Sequence, residues 1–118
     1  MQRNFRLTRS EDFKRVRRDG KSYAHPLVVL IALNSESDQP RVRVGVAAGR
    51  TVGTAVIRNR TKRLLREVMR TLLPNIASNL DLILIARPGL ASATLEDTHQ
   101  AIDNLLKRAK IITPLHES

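Results

Sequence analysis

The sequence predicts an α+β fold in which three helices pack on a small mixed sheet of about four strands, as a two-layer α/β sandwich. The chain has 118 residues, a length that suits a single domain, 1–118, with a modest core. Three segments carry the capping signals or the apolar spacing of helices, and three short apolar runs have the composition of strands. These segments are interleaved along the chain, which favours helices layered on one sheet.

The N-terminal part of the chain is predicted to contain one helix followed by strands. Thr8 and Glu11 have the spacing of a capping box and Gly20 can end a helix, so residues 9–19 are expected to be helical. The β-branched apolar run at 27–33 predicts a buried strand, and residues 21–23 are candidates for a short additional one.

The next strand is marked by strict alternation over residues 41–46. Val42, Val44 and Val46 point to one face of this strand, whereas Arg41 and Arg43 point to the other. We expect it to form a hairpin with the preceding strand, and this hairpin would have one basic face.

The C-terminal half is predicted to contain two helices and one strand. Residues 55–70 include neither Pro nor Gly and predict a helix that Pro74 ends. A strand is predicted at 80–86, and a last helix begins near a cap-like Thr94. The apolar stripes of the two helices comprise Ile57, Leu64, Leu65, Val68 and Leu72, and Leu95, Ile102, Leu105, Leu106 and Ala109. The ordered core is expected over about 6–110, with a flexible tail after about residue 112.

Composition points to an anionic partner. The net charge of +10 favours nucleic acid first and an anionic membrane surface second. The sequence has neither an apolar run of transmembrane length nor a signal-peptide pattern, so we expect no membrane partner. The lack of Cys excludes disulfides and thiolate chemistry and fits a reducing, cytoplasmic location. Aromatic residues make up 3 %, too few for a platform that stacks several bases.

The predicted second helix concentrates positive charge on one side. Like charges four residues apart repel by a few tenths of a kcal/mol per pair, which favours a neutralising polyphosphate partner over a merely solvated face. Glu67 can pair with Arg63 or Arg70, and Asn59 is read equally well as an exposed polar residue, a local backbone cap or an RNA contact. The cations of this helix are Arg58, Arg60, Lys62, Arg63, Arg66 and Arg70.

A specific resemblance is carried by residues 53–67, GTAVIRNRTKRLLRE, centred on Arg58-Asn59-Arg60. This stretch resembles the Arg-Asn-Arg motif, with its flanks, of the bacterial ribonuclease P protein component. Residues 11–13, 44–46, 50–53 and 81–87 also resemble that family, so the similarity covers roughly 6–110.

The resemblance implies a partner, a chemistry and a topology. The chain would bind the catalytic RNA subunit of ribonuclease P, and that RNA, with Mg²⁺, would remove the 5′ leader of precursor tRNA. The protein itself would carry no catalytic residue, metal site or cofactor. An unusual left-handed crossover is implied around the motif helix. The implied RNA-binding residues are Arg50, Arg58, Asn59, Arg60, Lys62, Arg63, Arg66 and Arg70.

A second surface, distinct from the motif helix, is expected to bind the leader. Its residues would be Arg9, Phe13, Arg17, Tyr23, Arg41 and Arg43. For Phe13 a place in the core alone is an equal alternative, and Arg41 and Arg43 are also compatible with an ordinary solvent face.

The sequence departs from the family pattern at three places. Arg50-Thr51 replaces two adjacent Lys, Arg17 replaces a second aromatic, and Ile31 stands where some members have Tyr. Leader binding would therefore depend more on charge and less on stacking.

Two other classes of function compete with this interpretation. A general basic RNA-binding or ribosomal-type protein would share the charge without a role in tRNA processing. A stand-alone nuclease would need two histidines across one phosphate, and the chain offers only His25, His99 and His116. A helix-turn-helix DNA binder is disfavoured because a strand and a loop, rather than a helix, precede the basic helix.

Overall fold

The computed structural model describes residues 6–35, 41–77 and 79–112. Within them the chain forms three α-helices and four strands, which confirms the α+β prediction. The helices are α1 (Ser10–Asp19), α2 (Ala55–Leu72) and α3 (Leu95–Arg108), and the strands are β1 (Lys21–Ala24), β2 (Val28–Asn34), β3 (Val42–Ala48) and β4 (Leu80–Ala86). The predicted tail lies outside the described residues.

The four strands form one mixed sheet in the order β1-β2-β4-β3. β2 pairs antiparallel with β1 and β4, whereas β3 pairs parallel with β4. The expected hairpin of β2 with β3 is therefore wrong, because β4 lies between them, and the short additional strand supplies the hairpin partner instead. β4 is apolar apart from Asp81 and is buried over nearly its whole length, which suits a central strand, while the Arg-bearing β3 takes the edge.

Parallel strands need a crossover connection, and α2 provides it between β3 and β4. The left hand that the resemblance implies for this crossover stays a prediction. The connection places the basic helix beside β3, the edge strand of the sheet.

The two faces of the sheet are covered unequally. α2 and α3 pack on one face and enclose the main core, in which Leu30, Leu65 and Leu105 are fully buried. The ten-residue α1 covers part of the other face through a small cluster of Leu7, Val16, Ile31 and Ile83. Because α1 is short, Val29 and Ile85 at the rim of this cluster are only partly buried.

The helix stripes were predicted in part. On α2, Leu65, Val68 and Leu72 are buried as expected, whereas Ile57 and Leu64 are half-buried, and the buried Thr61 and Met69 were not predicted. On α3, Ile102, Leu105 and Leu106 are buried, but Leu95 in the first turn is 56 % exposed.

Candidate nucleic-acid interface

The cationic side of α2 brings six basic residues together on one helix. Arg60, Arg63 and Arg70 are exposed, and Arg58, Lys62 and Arg66 are half-buried beside neighbouring elements. Arg70 donates to Glu67 at 2.6 Å, which decides between the two partners predicted for that carboxylate. Within residues 6–35, 41–77 and 79–112, this is the only ion pair that any of the six cations makes. Five positive charges on one helix therefore lack a carboxylate partner there.

Arg58 and Arg60 extend in different directions from the first turns of the helix. Arg60 Nη2 donates to the carbonyl of Ala91 at 3.4 Å, a long bond at the surface. Arg58 Nε is buried and has no hydrogen-bond partner in the described part of the chain. The guanidinium of Arg58 also has no carboxylate partner among the described residues, so its charge is not neutralised within them.

The start of α2 is fixed by local capping. Thr54 Oγ1 accepts a hydrogen bond from the amide of Ile57 at 3.4 Å. Gly53 has φ of 149°, a conformation that only glycine adopts readily, and it turns the chain from the exposed Arg50 into the helix. The side chain of the exposed Asn59 makes no hydrogen bond within the described ranges, which gives the local-cap interpretation no support, and an RNA contact stays a prediction.

A groove of about 180 Å³ lies where the edge strand meets α1 and α2. Phe13 of α1 lines it from one side and Arg66 of α2 from another, with Val44 and Val46 of β3 between them. Burial and the nearby charge of Arg6 lower the pKa of Arg66. The groove that Phe13 lines therefore includes Arg66 of the predicted RNA-binding helix, and its role as the leader surface stays a prediction.

Phe13 belongs both to a core cluster and to this groove. Its side chain is half-buried against the small cluster under α1 and also lines the groove wall. Phe13 therefore does not lie in the core alone, and its contact with the leader stays a prediction. Arg17, four residues further along α1, is exposed and forms no ion pair in the part of the chain that the structure describes.

Arg43 is engaged within the protein. Its Nε and Nη2 donate to the carboxylate of Asp81 at 2.9 and 3.0 Å, and Arg15 Nη2 donates to the same carboxylate at 2.6 Å. Asp12 lies 3.4 Å from Arg15 and 3.6 Å from Arg43. Burial alone would raise the pKa of Asp81, but the hydrogen bonds from Arg43 and Arg15 hold it below its ordinary value.

This ion cluster of Asp12, Arg15, Arg43 and Asp81 was missed from the sequence. It pins α1 to β3 and β4, so Arg43 is not a simple solvent-face residue, and its expected contact with the leader stays a prediction. The available signal was the single acid in an otherwise apolar strand, since a buried carboxylate needs a cationic partner.

The remaining leader candidates are dispersed. Tyr23 pairs with Leu30 across the sheet and packs on the main core, so its expected place beside Phe13 is wrong. Arg9 is the exposed residue that precedes α1. Arg41 precedes β3, is half-buried, and its Nε has no partner in the described ranges.

The histidines give no support to a protein nuclease. His25 Nδ1 accepts the amide hydrogen of Leu27 at 3.1 Å, and His99 is exposed on α3. His116 lies outside the described residues. Among those described, no group of three His, Cys, Asp or Glu side chains is placed to hold a metal ion. None of the described helices has the length and apolarity needed to cross a membrane.

Comparison with known proteins gives a consistent result. The family model described as Ribonuclease P matches residues 1–110. The ribonuclease P protein component of Brevibacillus brevis is 40 % identical over 118 residues, covering 98 % of this chain and 93 % of that one. The corresponding protein of Herpetosiphon aurantiacus is 40 % identical over 111 residues, covering 94 % and 89 %.

Solved structures agree with the sequence matches. The RNase P protein of Staphylococcus aureus superposes with a TM-score of 0.83 at 28 % identity, covering 92 % of this chain and 98 % of that one. The RNase P protein of Thermotoga maritima gives a TM-score of 0.77 at 28 % identity, covering 87 % and 96 %. The motif of α2, the fold and these likenesses agree, and the chain belongs to the ribonuclease P protein family.

Proposed function

We propose that this chain is the protein subunit of a ribonuclease P that matures the 5′ end of tRNA. Its α2 binds the catalytic RNA subunit, and the groove beside Phe13 binds the 5′ leader of precursor tRNA. The observation that carries the proposal is the unneutralised cationic side of α2 in a chain of this family.

The RNA-subunit contact is supported by the charge and donors of α2. Arg58 and Arg60 each present a planar guanidinium that can hold a phosphate through two hydrogen bonds, which Lys cannot do. Arg50, Asn59, Lys62, Arg63 and Arg66 extend this surface. Arg70 contributes less because Glu67 neutralises it.

The leader contact is supported by the groove between α1, β3 and α2. One aromatic ring and flanking cations suit a single-stranded RNA whose backbone is held by charge and one of whose bases stacks. Arg17 and Arg9 extend the positive charge from the groove along α1. Little sequence discrimination is expected from a single ring.

Catalysis is assigned to the RNA. Hydrolysis of a phosphodiester by metal ions needs no protein base, and Mg²⁺ would be held by RNA phosphates. The described chain has no cluster of ligands for such an ion. The absence of Cys supports a reducing, cytoplasmic setting.

The test is a cleavage assay on precursor tRNA with three samples: protein alone, RNA subunit alone and the reconstituted complex. We expect the protein alone to leave the substrate intact. In the reconstituted complex at low Mg²⁺, we expect the protein to increase the rate of cleavage above that of the RNA subunit alone. A general RNA-binding protein would give no substrate-specific stimulation. Cleavage by protein alone that is lost in His25→Ala or His99→Ala would overturn the assignment.

The leader site is tested separately with Phe13→Ala. Loss of one stacked base should weaken affinity of the complex for precursor tRNA by about 1–3 kcal/mol and leave mature tRNA unaffected. Arg17→Ala should act in the same direction, and its loss of affinity should shrink as the salt concentration rises. Arg18→Ala is the matched control, because this neighbouring arginine is paired with Asp19. Equal losses for precursor and mature tRNA, with the fold intact by circular dichroism, would refute the leader site.

A further inference from the structure

The ring of Phe13 occupies space that β3 leaves open by having no side chain at Gly45. A Cβ built on Gly45 would lie 2.5 Å from Cζ and 2.9 Å from Cε2 of Phe13. It would also lie 3.1 Å from the carbonyl oxygen of Leu7. Carbon atoms do not approach a ring this closely, so the position of the ring depends on residue 45 being glycine.

The helix that carries Phe13 is anchored independently of the ring. Arg15 reaches the buried carboxylate of Asp81 at 2.6 Å, and Val16 is completely buried. Leu7, on the other side of the groove, donates its amide hydrogen to the carbonyl of Val44 at 2.9 Å. An added methyl group would therefore meet a helix held in place and a side-chain end that can rotate, so the ring would move before the helix does.

We propose that Gly45 is a positioning residue for leader binding: its missing side chain sets the depth at which the Phe13 ring sits in the groove. The ligand is a base of single-stranded RNA that stacks on this ring. Backbone strain has no part in this role, because the requirement is one of space alone. The inference rests on the proposed function of the groove and adds the residue that tunes it.

Gly45→Ala tests the proposal, with Gly49→Ala as the matched control. Gly49 follows the same strand, has φ of −83°, and its added Cβ would have no atom within 4 Å. We expect Gly45→Ala to reduce the affinity of the reconstituted complex for precursor tRNA by roughly fivefold or more, the lower end of the loss of one stacked base. Affinity for mature tRNA should not change, and Gly49→Ala should match the unmodified protein for both RNAs.

A double-mutant cycle asks whether Gly45 acts through the ring. Once Phe13 is Ala, the added methyl group has no ring to displace, so Gly45→Ala/Phe13→Ala should bind precursor tRNA as Phe13→Ala does. If the two substitutions instead reduce the affinity for precursor tRNA independently, so that their fold losses multiply in the double variant, the proposal is overturned. If Phe13→Ala has no effect on leader affinity, the groove itself is not the leader site. If Phe13→Ala weakens precursor binding and a folded Gly45→Ala does not, only the role of Gly45 is refuted.

The ring position is also measurable without RNA. The chain contains only two phenylalanines, Phe5 and Phe13, so ring signals from ¹³C-labelled phenylalanine are assigned with one Phe5→Leu sample. Gly45→Ala should shift the Phe13 ring signals and Gly49→Ala should not. Unmoved Phe13 signals in a folded Gly45→Ala protein would contradict the proposal. If Gly45→Ala does not fold, the comparison is between Phe13→Ala and Gly45→Ala/Phe13→Ala. Unequal affinities of these two proteins for precursor tRNA would refute the proposal.

Discussion

Asp81 combines nearly complete burial of a carboxylate with hydrogen bonds from two arginines. Its side chain is 1 % exposed, and a carboxylate in that setting remains charged only because Arg15 and Arg43 donate to it. The sequence predicted the strand around Asp81 from its apolar neighbours. It did not predict the cluster, because the partners come from α1 and β3, far away along the chain.

Asp81→Asn should lower the free energy of unfolding by about 3 kcal/mol, because two partly buried guanidinium groups lose the nearer of their two carboxylate partners and keep only Asp12. Asp19→Asn is the control, since Asp19 pairs with Arg18 at an exposed site where such pairs contribute about 0–1 kcal/mol. Urea unfolding followed by circular dichroism measures both. Equal stabilities for the two variants would contradict the structural role of the cluster.

The same carboxylate makes stability depend on acid pH. The pKa of Asp81 is 3.8 in an ordinary setting and is lowered in the fold, so its contribution is complete above that value and is lost as pH falls through the lowered folded-state pKa. The stability difference between the unmodified protein and Asp81→Asn should therefore be constant from neutral pH to about pH 5 and shrink below about pH 4. A difference that grows on acidification would reverse this sign and refute the account.

At the scale of elements, the two helix starts that the sequence predicted from a threonine had opposite outcomes. Thr94 Oγ1 accepts from the amide of Asp97 at 3.0 Å, and Asp97 accepts from the amide of Thr94 at 3.3 Å, so the predicted cap-like start is confirmed and forms a full capping box. The box of Thr8 with Glu11 is wrong, because Arg9 precedes the first helical residue and no side chain caps α1. Spacing alone could not place the first helical residue.

This difference gives a paired stability test. Thr94→Ala should lower the free energy of unfolding by about 1 kcal/mol through loss of the cap. Thr8→Ala should stay within about 0.5 kcal/mol of the unmodified protein, because this exposed residue caps nothing. Thermal and urea unfolding of both variants measure the effects, and a larger loss for Thr8→Ala would reverse the assignment of caps.

The positive charge of α2 predicts that its affinity for the RNA subunit depends on salt concentration. Replacing Arg58 and Arg60 by Ala should weaken RNA-subunit binding and lower the slope of log K against log[salt] by roughly 0.7–0.9 for each phosphate that the variant no longer neutralises. Arg18→Ala/Lys107→Ala removes the same net charge from two surface cations that have acidic partners outside α2. An unchanged slope for the α2 variant, or an equal change in the control, would show that α2 is not the RNA surface.

Across the whole molecule, local pattern predicted the elements but not their arrangement. Helix spacing and β-branched runs identified α2, β2 and β4 because each has a strong local period. The order of strands could not be read from pattern, since β3 pairs with β4 only after the chain passes through α2. That pairing brings Arg66 to the groove that Phe13 lines. Tyr23 packs on the main core, on the opposite face of the sheet. The types of residue in the candidate site could therefore be predicted from the sequence more completely than their positions.

The RNA that α2 is proposed to bind can be identified directly. The most direct measurement is purification of the tagged chain from its own cells, followed by sequencing of the RNA that accompanies it. The account predicts strong enrichment of the catalytic RNA of ribonuclease P, its loss with Arg58→Ala/Arg60→Ala, and its retention with Arg18→Ala/Lys107→Ala. Recovery of ribosomal or unselected RNA in its place, or equal recovery by both variants, would contradict it.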